Sequence, residues 1–104
     1  MERMPLSNNS YLEQELEEGP ERVSKALLNW RKASLEREKK EALLYLKFKG
    51  EDGKKTVNEI GALVDSCDER YDLKLLEAVC EAEYHRVLEK LLAAKKLADL
   101  RTAF

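Results

Sequence analysis

With 104 residues the chain has room for one domain at most, and a chain this short buries only a modest core by itself. Charged residues make up 38% and hydrophobic residues 43%, with 4 Gly and 2 Pro, which favours long amphipathic helices over a sheet. The formal net charge is −2, and no apolar run approaches the ~20 residues that a membrane-spanning helix needs.

In chain order, residues 1–9 show no periodicity and read as a flexible arm. Ser10 followed by Glu13 is a capping box, predicting a short helix over 11–18 that Gly19-Pro20 stops. The first long helix is expected over 21–49, with Val23, Leu27 and Trp30 as its stripe and Ala26 and Ala33 beside it. The run EREKKE, 36–41, cannot be buried without pairing, so this stretch is expected to be wet or bridged. Gly50 and Gly53 break the helix, with a left-handed glycine as the expected cap.

Residues 50–65 form a tip loop plus a short helix, opened by the capping box Thr56-x-x-Glu59 and carrying Val57, Ile60, Leu63 and Val64. A third box, Ser66-x-x-Glu69, opens the second long helix over 66–102. Its apolar seam reads Leu73, Leu76, Cys80, Tyr84, Val87, Leu91, Ala94 and Ala98, coiled-coil spacing with one shift of register. Leu75, Val79, Leu88 and Leu92 make a neighbouring stripe, which suits a second partner such as another copy. The expected fold is all-α, a long antiparallel helical hairpin in a single domain.

Charge alternates along the chain. Residues 31–55 carry nine basic and five acidic side chains, and residues 56–85 carry two and eight. Folding the hairpin sets basic 31–49 against acidic 66–85, which accounts for Arg37, Lys39 and Lys40 as register-setting pairs. Lys47, Lys49, Lys54 and Lys55 fit that explanation less well. With Tyr45 and Phe48 beside them, they are the candidate nucleic-acid-binding site, where cations track phosphates and rings stack on bases.

Little else suggests chemistry. His85 is the one histidine and has no cysteine within a helical turn, so no metal site is expected. Cys67 and Cys80 lie thirteen residues apart in one predicted helix, too far to bridge each other, and read as free thiols of a reducing compartment. GKKT, 53–56, lacks the earlier glycine of a phosphate-binding loop. The amino terminus lacks the regions of a signal peptide, so the expected location is the cytoplasm. No catalysis, cofactor, small-molecule substrate or membrane partner is expected.

Three stretches, EALLYLKFKGEDG (41–53), KKTVNEIGALVDSCDERYDLKLLEA (54–78) and KKLADLRTAF (95–104), resemble the small helical recombination mediators of T-even phages, the UvsY-like proteins. The resemblance implies a non-catalytic homo-oligomer that binds single-stranded DNA and helps load a RecA-type recombinase. It places DNA contact on Lys47, Lys49, Lys54 and Lys55. Oligomerisation would fall on the carboxy-terminal helix, with Tyr84, Val87, Leu88, Leu91, Leu92, Leu97, Leu100 and Phe104 as its residues. The alternative expectation is a helical protein–protein interaction module, a scaffold or small inhibitor, without nucleic acid.

Overall fold

The computed structural model describes residues 3–51 and 53–102, with side chains from residue 10 onward. The described residues form three helices, α1 (Arg3–Glu51), α2 (Val57–Asp65) and α3 (Asp68–Thr102), and no strand. α1 and α3 pack together as the arms of a helical hairpin, and α2 lies in the connection. The chain divides into two compact units. One combines Met1–Leu28 with Glu81–Phe104, and the other is Asn29–Cys80.

α1 differs from the expected pair of helices. It runs unbroken through Gly19 and Pro20, and Arg3–Asn9, expected as part of a flexible arm, belong to it. Proline inside a helix forfeits one hydrogen bond and crowds the preceding turn, yet Pro20 sits at an exposed position. Gly19 is buried against α3, where a Cβ would stand 2.7 Å from Leu91 Cδ1 and 3.1 Å from Glu15 Oε1. The glycine that reads as a helix stop instead sits where the first unit's two arms leave no room for a Cβ.

In that first unit Leu12, Ala26, Val87, Leu91 and Ala94 are buried between the arms. Glu15 lies among them with its side chain 4% exposed. Its carboxylate is paired there with Arg22 Nη1 at 2.7 Å and with Lys90 Nζ at 3.6 Å, as a buried charge requires. Lys90 also lies over the Tyr11 ring, 5.3 Å from its centroid.

In the second unit Leu44, Ile60 and Val64 form a cluster against which Tyr45, Phe48 and Cys67 pack. α2 brings Ile60 and Val64 there by a well-formed start. Thr56 is its N-cap, accepting at Oγ1 the Glu59 N–H at 3.2 Å. The third expected capping box is absent: Ser66 caps the end of α2, donating its backbone N–H to Ala62 O at 3.1 Å and its hydroxyl to Leu63 O at 2.9 Å. α3 therefore begins at Asp68. The expected left-handed glycine is also absent. Gly50 remains inside α1, and no described glycine has positive φ.

The seam of α3 corrects one residue and with it the register. Glu77, with a side chain 14% exposed, occupies the place expected for Leu76, which is 47% exposed. A line of half-buried and buried positions then runs Arg70, Leu73, Glu77, Cys80, Tyr84, Val87, Leu91, Ala94 and Ala98, alternating three and four residues without a break, with the half-buried Leu88 and Lys90 beside it.

Candidate functional site

A charged layer fixes the second unit's register. Arg37 Nε donates to Glu77 Oε2 at 2.8 Å, and its Nη1 donates to Glu41 at 3.0 Å. Arg70 Nε donates to the same Glu41 at 2.9 Å, and Lys40 reaches Glu69 at 2.6 Å. The Arg37 hydrogen bond holds the Glu77 carboxyl below its ordinary pKa against the opposing effect of burial, and Lys40 does the same for Glu69. Burial alone would push Glu41 up, but Arg37 and Arg70 together outweigh it and hold it low. The hydrogen bonds from Glu77 and Glu41 in turn raise Arg37. The run 36–41 is thus bridged at Arg37, Lys40 and Glu41 and wet at Glu36, Glu38 and Lys39, as its composition requires.

At the tip, Lys47, Lys49 and Lys54 are exposed, while Lys55 is half-buried and lies 3.8 Å from Glu51. Lys47 and Lys55 both stand over the Phe48 ring, 5.9 and 5.8 Å from its centroid. Phe48 and Tyr45 also pack against the Leu44–Ile60–Val64 cluster. The two rings expected to stack on bases are therefore largely used by the chain itself. What the tip offers a polyanion is cationic charge rather than a stacking platform.

The residues expected for oligomerisation divide by burial. Val87 and Leu91 are buried within their own unit, and Tyr84 and Leu88 are half-buried. Leu92, Leu97 and Leu100 are exposed. Phe104 lies outside the described residues.

The outer face of α1 holds what the sequence reading passed over. On α1, Leu35 and Leu46 are 64% and 65% exposed. Each lies two residues from a seam position, Ala33 and Leu44, hence about 200° around the helix from it. On α3, Tyr71, Leu75 and Val79 repeat every fourth residue, are all exposed, and stand on the side away from Leu73 and Glu77. Apolar residues are accordingly spread around α3 instead of gathering on one side.

Other candidates hold no assembled chemistry. A groove of about 480 Å³ in the first unit is lined by Tyr11, Leu12, Glu15, Lys90 and Leu97 among others. Its Glu15 and Lys90 are already paired with each other. Cys67 and Cys80 are both free thiols. His85 is exposed with its ring edge-on to Tyr84 at 5.3 Å. Among the described residues no group of three or more His, Cys, Asp or Glu is placed to hold a metal. No helix among them is long and apolar enough to cross a membrane.

The fold and its surfaces define an all-α helical hairpin with a charged layer in its seam. Comparison with known proteins finds no family model, no curated protein and no solved structure that matches the chain.

Proposed function

We propose that the protein is a non-catalytic helical interaction module whose outer faces dock onto other helices. The observation that carries this reading is the apolar stripe on α1 opposite its seam, Leu35 and Leu46, matched on α3 by Leu75 and Val79. A helix with apolar stripes on opposite sides is patterned for two neighbours, and the hairpin supplies one. The buried side supports the same view: among the described residues three of the nine buried hydrophobic ones are alanine, while leucines of both arms face water. A reducing, cytoplasmic setting suits its two free thiols.

The test is stability. Replacing Leu35 and Leu46 together with Glu leaves thermal unfolding of the dilute protein nearly unchanged, within about 0.5 kcal/mol per site. A loss of several kcal/mol would show that these side chains serve the chain's own fold, and the reading would fall.

A second reading has its own observation in the exposed Lys47, Lys49 and Lys54 at one end of the second unit. It is the phage-type recombination mediator, in which several copies hold single-stranded DNA by avidity and hand it to a RecA-type recombinase. Fluorescence anisotropy with a labelled single strand tests it at low and moderate salt. Binding that falls steeply with salt and is lost when Lys47, Lys49, Lys54 and Lys55 become Ala supports the reading. Undiminished binding by that variant, or none by the native chain, removes it.

A further inference from the structure

We propose that the neighbour of the outer faces is a second copy of this chain, joined head to tail: the outer face of α1 in one copy packs on the outer face of α3 in the next. This rests on the reading of the outer faces as docking surfaces and names their occupant.

The outer faces of the two helices in the Asn29–Cys80 unit are complementary. Leu35 and Leu46 of α1 are flanked by the exposed cations Arg31, Lys32, Lys39 and Lys49. Two exposed acids lie beside this face, Glu38, which stands 3.9 Å from Arg37, and Glu36, so the four cations outnumber them. The α3 stripe of Tyr71, Leu75 and Val79 is flanked instead by the exposed acids Asp68 and Asp72. Lys74 turns from it toward Glu77, at 3.8 Å. One face is therefore apolar with a basic fringe and the other apolar with an acidic fringe. Like faces repel and unlike faces attract, so α1-to-α1 and α3-to-α3 pairing are both disfavoured.

The hairpin's own register supplies a specific match. Inside the chain Arg37 meets Glu77 and Glu41 meets Arg70, an antiparallel pairing. Repeating that register between copies sets Leu35 against Val79, Leu43 against Tyr71, and Lys39 beside Asp72. All six residues are exposed in the single chain. A contact of this kind joins two different faces, so every copy added leaves one of each open, and growth ends only where the rotation per step closes a ring.

Mixing tests it. One variant, Leu35→Glu with Leu43→Glu, blocks the α1 face, and a second, Tyr71→Glu with Val79→Glu, blocks the α3 face. Sedimentation velocity of the full-length native chain shows concentration-dependent species larger than a dimer. Each variant alone is monomeric with unchanged helical circular dichroism, and an equimolar mixture gives a one-to-one dimer and nothing larger. A variant that dimerises by itself overturns the head-to-tail pairing, as does a mixture that stays monomeric while the native chain assembles. A native chain that is monomeric throughout overturns self-docking, yet leaves standing the docking reading, whose own test is the stability of the Leu35/Leu46 variant. Charge reversal repeats the test with little risk to folding. Lys39→Glu weakens association about tenfold, and adding Asp72→Lys in the same chain restores it. Absence of that rescue contradicts the register.

Discussion

Leu76 and Glu77 exchange the roles that hydropathy assigns them, and the reason lies across the hairpin. A glutamate enters the seam because Arg37 meets it there at 2.8 Å and Glu41 shares the same guanidinium at 3.0 Å. Spacing alone could have signalled this, since seating residue 77 restores an unbroken three-four alternation that residue 76 interrupts. Replacing Arg37 with Ala leaves two half-buried carboxylates without that partner. The expected cost is about 1–2 kcal/mol, read from urea unfolding at neutral pH. The pH dependence has a definite sign. Glu77 and Glu41 titrate below the ordinary 4.5 in the folded chain. Their contribution is therefore complete above that value and fades as pH falls through the lowered folded values. The native chain loses stability in that acid window, and the Arg37 variant loses less of it. Equal acid losses in both proteins would place the effect elsewhere.

The helices themselves were largely legible. The absence of Gly and Pro over 21–49, the Thr56 capping box and the periodicity after residue 68 all follow from local propensities, and the structure has the matching elements. Gly19-Pro20 was not legible, because a local rule for stopping a helix competes there with packing that needs the smallest residue against Leu91. Ser66 misled for a related reason: its hydroxyl serves the end of α2 at Leu63 O, not the start of α3. Continuity of α1 makes a sharp prediction. Pro20→Ala restores a backbone donor and relieves the ring's crowding, and should stabilise the chain by about 1–3 kcal/mol in thermal unfolding. A loop at that site would instead make the change neutral or destabilising. The candidate nucleic-acid site was half legible. The lysines stand where a helix end and turn put them, but the demand of Ile60 and Val64 for apolar cover draws Phe48 and Tyr45 inward.

For the whole molecule, the alternating charge blocks and the two-sided helices have one common consequence. Within the chain they select an antiparallel register, basic against acidic, through Arg37, Lys40, Glu69, Arg70 and Glu77. The same alternation reappears on the outer faces of the Asn29–Cys80 unit, where it selects between possible neighbours. The sequence reading found the second stripe on α3 but missed the one on α1, because Leu35 stands alone beside a charged run and Leu46 lies inside the apolar run 42–46, which singles out no face. Only their exposure, set beside the burial of Ala33 and Leu44, separates the outer face from the seam. In the proposed assembly these faces meet each other. The most direct measurement is sedimentation equilibrium of the native chain from micromolar to millimolar concentration, at low and at high salt. Head-to-tail docking predicts an average mass that rises beyond a dimer with concentration and falls when salt screens the basic and acidic fringes. A mass fixed at the monomer across the whole range, at both salts, would contradict it.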